Sequence, residues 1–189
     1  MKTPNYKVKI GIVGCGAIGS RMAQAIAKDF KRDCKITGVF DTDATKSKSL
    51  QKSLKQRNLV RSSLTSLINN CDCMVEAVNC PNTKDIIKQA LVAKKSVLVM
   101  SVGKMINEDK LFQLARKNKC YILLPSGAIA GLDAVKAASL ANIKKVKLTT
   151  RKPTIGFKGN KHFEKKGIDI TKLRSEKTIF KGGVNEAVR

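Results

Sequence analysis

The stretch Gly11-Ile12-Val13-Gly14-Cys15-Gly16-Ala17-Ile18-Gly19 decides the fold. An alternating apolar run that begins at Tyr6 precedes it and predicts a buried strand. After it, small and apolar residues recur at helical spacing from Met22 to Ile26 and predict the inner face of a helix. Strand, glycine loop and helix in this order turn a common G-x-G-x-x-G match into a signal for dinucleotide binding.

Each glycine of this loop has a physical role. Gly14 allows the tight turn, Gly16 lets the backbone approach a pyrophosphate without a Cβ between them, and Gly19 lets the helix pack close to the strand. The free N–H groups at the helix N-terminus then face the phosphate charge. We therefore expect cofactor contacts from the loop residues Gly14, Gly16, Ala17, Ile18 and Gly19.

The next predicted strand, residues 35–41, ends in Asp41, 22 positions after the last glycine of the loop. A carboxylate at this place can accept hydrogen bonds from both ribose hydroxyls of the adenosine, which favours NAD over NADP. The alternative is that Asp41 and Asp43 only form the turn after the strand. NADP also stays open, because Lys46 and Lys48 lie just beyond and could meet a 2′-phosphate.

Length and composition set the class of protein. The chain has 189 residues, of which 42% are hydrophobic, enough for one full domain and part of a second. The sequence contains no apolar run of about 20 residues and no signal-peptide pattern, so we expect no membrane association and a cytoplasmic location. The six cysteines form no C-x-x-C pair, and Cys71-Asp72-Cys73 is too tight for zinc, so we predict core cysteines and no metal.

The net charge of +24 would indicate nucleic acid in another fold. Here the basic residues are scattered along the chain, and aromatic residues make up only 4%. Stacking platforms for single strands are therefore scarce. We interpret the charge as a solvated basic surface and expect no specific nucleic-acid partner.

Strands and helices alternate through residue 125 and predict an α/β fold with a doubly wound parallel Rossmann sheet. We expect a dinucleotide-binding domain over 1–125 and the start of a second, smaller and incomplete α/β domain over 126–189. The predicted elements are a helix over 44–57, a short helix over Leu64–Ile68, a strand over Cys73–Val78, a helix after Pro81, a doubly buried strand over Lys95–Val102, a helix capped by Asn107 and a strand over Tyr121–Leu124.

Ligands of open parallel sheets bind at the carboxyl ends of the strands. This rule predicts that residues 77–79, 101–103 and 125–128 also line the ligand site, with Ala77 and Ser101 as cofactor contacts. The segment from Pro125 to Asp133 is rich in small residues and opens a predicted helix over 134–141. Small residues allow a flat nicotinamide ring to approach the backbone, although an ordinary strand-to-helix link has the same composition.

After residue 142 the pattern changes. Val146–Thr150 alternates like a strand with one wet face, and Thr178–Phe180 predicts another short strand. Val184 begins a helix, and the chain stops at Arg189. We expect this second domain to continue beyond the sequence given.

Four motifs together resemble the L-aspartate dehydrogenase family over nearly the whole chain. They are the Gly14–Gly19 loop, Pro125-Ser-Gly-Ala-Ile-Ala-Gly-Leu-Asp133, Leu148-Thr-Thr-Arg-Lys-Pro153 and Phe180-Lys-Gly-Gly-Val-Asn-Glu-Ala-Val188. The resemblance implies oxidation of L-aspartate with NAD or NADP, through iminoaspartate to oxaloacetate and ammonia. It also implies a role in NAD synthesis and a homodimer when the protein is full length.

The resemblance carries over to individual residues. Ala128 matches the family's cofactor-binding alanine. The family's catalytic histidine would lie beyond Arg189, so the resemblance implies that these 189 residues alone lack the catalytic base. The single histidine, His162, does not match that motif and is interpreted as a surface residue. Because the substrate has two carboxylates, we expect Arg151 and Lys152 to bind it, unless they are ordinary surface cations.

Two alternatives remain beside this interpretation. One is another amino-acid dehydrogenase of the homoserine dehydrogenase type, which a substrate panel would separate. The other is a non-catalytic protein that senses NAD and binds nucleic acid, for which salt-sensitive binding that responds to NADH would be evidence.

Overall fold

The chain divides into two compact units, an N-terminal unit over Met1–Pro125 and a C-terminal unit over Ser126–Arg189. The computed structural model describes residues 7–78, 80–127, 129–157, 169 and 172–187. Within these ranges, no helix has the length and apolar character that are needed to cross a membrane.

The N-terminal unit alternates strands and helices. Its elements are β1 Val8–Val13, α1 Ala17–Lys28, β2 Cys34–Phe40, α2 Ala44–Ser53, α3 Leu64–Asn69, β3 Cys73–Glu76, α4 Thr83–Val92, β4 Ser96–Val99, a 3₁₀-helical turn at Val102–Met105, α5 Asp109–Lys117 and β5 Ile122–Leu123.

The five strands form one parallel sheet in the order β2-β1-β3-β4-β5. The chain starts in β1, moves to one side for β2 and then crosses to the other side for β3. This reversal between β1 and β3 is a topological switch point, where open α/β sheets bind their ligands.

Both faces of the sheet are covered by helices, which confirms the predicted doubly wound α/β class. One core cluster joins Leu67 of α3, Ile87 of α4 and Leu111 of α5 to the strands. The other joins Ala23 of α1 and Leu50 of α2 to the opposite face. Each apolar side chain that is fully buried in this way contributes about 1.5–3 kcal/mol of stabilisation.

The start of α5 differs from the sequence prediction. Asn107 is not the N-cap; its φ is +61°, a left-handed conformation that Asn adopts more readily than most residues. The helix instead begins at Asp109, with Glu108 at the cap position. Glu108 forms an ion pair with Lys84 of α4, which ties the start of α5 to its neighbour.

Among its described residues, the C-terminal unit contains two short helices, α6 Leu132–Ala138 and α7 Val184–Ala187, and a 3₁₀-helical turn at Thr154–Phe157. The strands predicted at Val146–Thr150 and Thr178–Phe180 are wrong, because both segments are irregular. An alternating sequence becomes a strand only when another strand takes its N–H and C=O groups. No such partner lies within the described part of this unit.

Candidate cofactor site

The register of the sheet brings four strand ends into one row. Val13 of β1 pairs with Phe40 of β2 on one side and with Glu76 of β3 on the other, and Glu76 pairs with Val99 of β4. The segments that follow these strands therefore leave the sheet at one edge. They carry the predicted contacts of the N-terminal unit, namely the loop from Gly14 to Gly19, Asp41, Ala77 and Ser101.

The turn after β1 requires a glycine. Gly14 has φ +91°, and its N–H donates to the carbonyl oxygen of Phe40 at 2.9 Å. A Cβ at Gly14 would collide with the carbonyl of Ala77, which follows β3. The loop thus lies directly against the neighbouring strand at the switch point, and a side chain here would push the two strand ends apart.

Gly19 is equally constrained, in agreement with the role that the sequence assigns to it. It is buried in α1, and a Cβ would overlap the carbonyl oxygen of Gly14 and approach the Cβ of Ala77 at 3.5 Å. The first turn of α1 can therefore sit on the loop only because this position lacks a side chain.

Gly16 has the opposite surroundings. It is the exposed N-cap residue of α1, and no atom lies within 4 Å of a Cβ built there. No side chain caps the helix, and Ala17 and Ile18 are exposed, Ile18 by 54%. The amide groups of a helix N-terminus are donors that attract anions. Open space, free amides and a missing Cβ fit the pyrophosphate of a dinucleotide.

Asp41 is half-buried and fixes the loop as well as the turn after β2. Its Oδ2 accepts a hydrogen bond from the N–H of Cys15 at 2.7 Å, and its Oδ1 accepts from the N–H of Asp43 at 2.9 Å. Asp41 therefore does help to form the turn after β2, which is part of the alternative interpretation of this residue. Each carboxylate oxygen can accept a second hydrogen bond, so Asp41 keeps the capacity to bind ribose hydroxyls.

Two neighbours of Asp41 complete this corner of the site. Burial, and secondarily the Asp41 carboxylate, raise the pKa of the Cys15 thiol to about 12, which keeps it neutral near pH 7. Asp43 is the N-cap of α2 and accepts from the Thr45 hydroxyl and N–H, which lowers the pKa of Asp43. Lys46, a candidate for a 2′-phosphate, lies 3.8 Å from the Asp43 carboxylate.

Glu76 is a site residue that the sequence analysis missed. Its side chain is 0% exposed at the carboxyl end of β3. Its Oε1 accepts from the N–H of Val78 at 2.8 Å, and its Oε2 accepts from the hydroxyl and the N–H of Ser101 at 2.5 and 3.3 Å. A glutamate inside an otherwise apolar strand was the available signal, since acids are rarely fully buried without partners.

Of the residues singled out in the C-terminal unit, only Arg151 and Lys152 belong to the described part of the chain. Ala128 and His162 lie outside the described residues. Gly127 and Gly131 have φ of +66° and +81°, a left-handed conformation that favours glycine. Arg151 forms an ion pair with Glu176 at 2.9 Å, with side chains 77% and 72% exposed, and Lys152 is exposed. The predicted strand before Arg151 and Lys152 is absent from the described unit, so their substrate role stays a prediction.

Two family comparisons match consecutive parts of the chain. Residues 14–125 match the family described as homoserine dehydrogenase, NAD binding domain. Residues 133–189 match the family described as aspartate dehydrogenase, C-terminal. The first match includes every cofactor contact that we predict in the N-terminal unit, and the second includes Arg151 and Lys152.

Curated relatives resemble both units at once. The L-aspartate dehydrogenase of Methanosarcina barkeri is 37% identical over 185 residues, which are 96% of this chain and 68% of that protein. The L-aspartate dehydrogenase of Methanocella arvoryzae is 36% identical over 184 residues, which are 96% of this chain and 67% of that protein.

Solved structures agree on the fold. The WlbA dehydrogenase from Bordetella pertussis, in complex with NADH and UDP-GlcNAcA, has a TM-score of 0.59 at 20% identity, covering 71% of this chain and 42% of that one. GenD2 from gentamicin A biosynthesis, in complex with NAD, has a TM-score of 0.57 at 17% identity, covering 74% and 40%.

Proposed function

The chain belongs to the L-aspartate dehydrogenase family, and we propose that it oxidises L-aspartate to iminoaspartate with NAD or NADP. The observation that carries this proposal is the similarity to curated L-aspartate dehydrogenases, which spans 96% of the chain and therefore both units. When bound, the nicotinamide cofactor would accept a hydride from the substrate Cα while the amino nitrogen loses a proton. Addition of water to the resulting imine then gives oxaloacetate and ammonia.

The N-terminal unit supplies the cofactor contacts in this proposal. The N-terminus of α1 and the backbone at Gly16 hold the pyrophosphate, and the free lone pairs of Asp41 accept the ribose hydroxyls of the adenosine. Ala77 and Ser101 extend the site along the sheet edge. In the C-terminal unit, Ala128 is proposed as a cofactor contact, and Arg151 and Lys152 are proposed to bind the substrate carboxylates.

The first test uses NADH, oxaloacetate and ammonia with the chain as it stands. We expect NADH to bind, measured by fluorescence titration. Consumption of NADH in proportion to added oxaloacetate would show that these 189 residues suffice for catalysis, whereas binding without consumption would place the catalytic base outside them. Homoserine in the oxidative direction tests the nearer alternative, because residues 14–125 match a family named for homoserine dehydrogenase. Turnover of homoserine without turnover of L-aspartate would contradict the proposal.

A substitution at Gly16 tests whether NADH binds at the glycine loop. Gly16→Val places a side chain in open space, but Val is a poorer N-cap residue than Gly, so we expect the free energy of unfolding to fall by no more than about 1 kcal/mol. The same side chain occupies the space of the pyrophosphate, and we expect NADH affinity to fall at least about tenfold, which corresponds to about 1.4 kcal/mol. Unchanged affinity in this folded variant would locate the cofactor elsewhere.

Arg151→Ala tests the substrate contact. Because its ion pair with Glu176 is highly exposed, we expect a stability change of less than about 0.5 kcal/mol. Loss of a carboxylate contact would raise KM for L-aspartate about tenfold or more and leave NADH affinity unchanged. Glu176→Ala is the control, since it breaks the same ion pair but keeps the cation. Equal KM values in both variants and wild type would exclude the role.

We further propose that the protein forms a homodimer, which light scattering would test, and that it is located in the cytoplasm. We also propose that the iminoaspartate released by the enzyme supplies NAD biosynthesis, as the family resemblance implies. Loss of growth without added nicotinate, after deletion of the gene, would support this last role.

A further inference from the structure

Glu76 and Ser101 connect two strand ends at the edge of the sheet where the cofactor is proposed to bind. Glu76 ends β3, and Ser101 follows β4 by two residues. All the hydrogen bonds of the Glu76 carboxylate described above go to backbone or hydroxyl groups at the starts of the two outgoing loops. A buried carboxylate held in this way fixes the position of its donors.

The direction of the hydrogen bonds decides what Ser101 offers to a ligand. The Ser101 hydroxyl donates its hydrogen to Oε2 of Glu76 at 2.5 Å. A hydroxyl has one hydrogen and two lone pairs, so Ser101 Oγ has only acceptor capacity left. Ser101 is part-buried and keeps some of its surface accessible. It therefore favours a ligand group that donates a hydrogen bond.

Sheet order indicates which part of the cofactor this group belongs to. Asp41 follows β2, the glycine loop follows β1, and Ser101 follows β4, three strands away from β2. Neighbouring strands are about 4.8 Å apart, so Asp41 and Ser101 leave the edge about 14 Å from each other. With the adenosine ribose at Asp41 and the pyrophosphate at the loop, the nicotinamide half extends toward β4.

We propose that Glu76 is a positioning residue that makes Ser101 Oγ an obligate hydrogen-bond acceptor for the nicotinamide half of the cofactor. The donor is either the carboxamide NH₂ or a hydroxyl of the adjoining ribose. This inference rests on the proposed cofactor site. It adds a residue that never contacts the cofactor itself and acts on binding only through Ser101.

Glu76→Gln inverts this arrangement without a change of shape. The amide has one acceptor oxygen and one donor NH₂ group, so it cannot accept at both ends. With its oxygen on the Val78 N–H, the NH₂ group faces both the N–H and the hydroxyl of Ser101. It then donates to Ser101 Oγ and releases the Ser101 hydrogen toward the ligand. The hydrogen-bond donor of the cofactor then faces the Ser101 hydroxyl as a second donor, so the hydrogen bond between them is lost.

The test measures NADH binding by fluorescence titration of the whole chain, together with thermal unfolding without cofactor. We expect Glu76→Gln and Ser101→Ala each to weaken NADH binding about tenfold, and Ser101→Thr, which keeps the hydroxyl, to stay within about threefold of wild type. The double variant Glu76→Gln, Ser101→Ala is expected to bind no more than about twofold worse than Glu76→Gln, because the two residues act as one unit.

Asp72→Asn is the matched control. Asp72 lies at the other end of β3 and accepts a hydrogen bond from the N–H of Lys9 in β1 at 2.8 Å. It therefore joins two strands as Glu76 does, but at the edge away from the loop. We expect it to lower the unfolding temperature and to leave NADH affinity unchanged.

A cofactor analogue separates the two possible donors. The reduced 3-acetylpyridine analogue keeps the carbonyl but replaces the carboxamide NH₂ with a methyl group. If the carboxamide is the donor, Ser101→Ala and wild type bind this analogue equally. If the ribose is the donor, the tenfold difference persists with the analogue, and both results support an acceptor at Ser101.

The outcomes are distinct. If wild type does not bind NADH, the proposed function fails. If wild type binds NADH but Glu76→Gln only lowers the unfolding temperature, as Asp72→Asn does, the inference is overturned. Should Glu76→Gln not fold, equal NADH affinity of Ser101→Ala and Ser101→Thr would overturn it instead.

Discussion

The two units of this chain bury their apolar side chains to very different extents. The N-terminal unit covers both faces of its sheet, and Leu67 and Ile12 are 0% exposed. In the C-terminal unit, large apolar residues remain accessible, with Leu140 93% and Ile155 78% exposed. The contrast separates a fold that carries its own core from a segment whose described apolar residues find little cover.

The contrast also separates two kinds of sequence signal. The glycine loop predicts local geometry, because a Cβ at Gly19 collides with the carbonyl of Gly14, five positions earlier in the same loop. The alternation at Val146–Thr150 shows only that the segment could form a strand with one buried face. Whether it does so depends on a partner strand elsewhere in the chain. The first signal is therefore reliable from the sequence, and the second is not.

The largest expected effect comes from adding a side chain at Gly19, where the backbone of Gly14 leaves no room for one. In Gly19→Val the side chain overlaps the Gly14 carbonyl, so α1 must move away from β1. We expect a loss of about 3 kcal/mol or more in the free energy of unfolding, and no measurable NADH binding. Chemical denaturation and fluorescence titration measure the two effects.

Gly183→Val in the C-terminal unit is the matched control. No atom lies within 4 Å of a Cβ at Gly183, so the same substitution meets open space. We expect a change within about 0.5 kcal/mol. Comparable losses in both variants would show that the two units do not differ as the structure describes.

Leucine truncation compares the cores directly. Leu67→Ala removes a fully buried side chain between α3 and the sheet, and we expect a loss of about 3 kcal/mol. Leu140→Ala removes a side chain that is 93% exposed, and we expect a change of no more than about 0.5 kcal/mol. Urea denaturation of the two variants measures both values, and a larger loss from Leu140→Ala would contradict the assignment of the core.

Alkaline pH gives a smaller effect that is confined to the N-terminal unit, since every cysteine precedes residue 126. Burial raises the pKa of Cys15 from 9.0 to about 12, so the folded state keeps a proton that the unfolded state loses above pH 9. The stabilisation is complete below pH 9 and declines toward pH 12. We expect it to fall by about 1 kcal/mol between pH 9 and pH 10.

Cys15→Ala isolates this contribution from other groups that titrate in the same range. The difference in unfolding free energy between wild type and Cys15→Ala, measured by denaturation at each pH, is expected to shift against wild type as the pH rises from 9 to 10. A difference that stays constant over this interval would mean that Cys15 ionises alike in both states.

Most of the proposed cofactor edge could be assigned from the sequence, because motif and spacing locate its parts; their contacts with the cofactor stay predictions. The loop, the acid after β2 and the strand ends at Ala77 and Ser101 follow from motif, spacing and the rule for parallel sheets. Glu76 was missed, since its partner Ser101 lies 25 positions away and only the register of β3 and β4 brings them together. The cap at Asn107 was wrong, since Asn107 takes a left-handed φ of +61° and Glu108 occupies the cap position, where it pairs with Lys84 of α4.

Amide hydrogen exchange with and without saturating NADH tests whether the carboxyl edge of the N-terminal sheet binds the cofactor. We predict slower exchange with NADH at the amides of residues 15–20 and 41–43, while β1 and β3 are already protected without it. NADH binding that leaves exchange at residues 15–20 unchanged would contradict the claim.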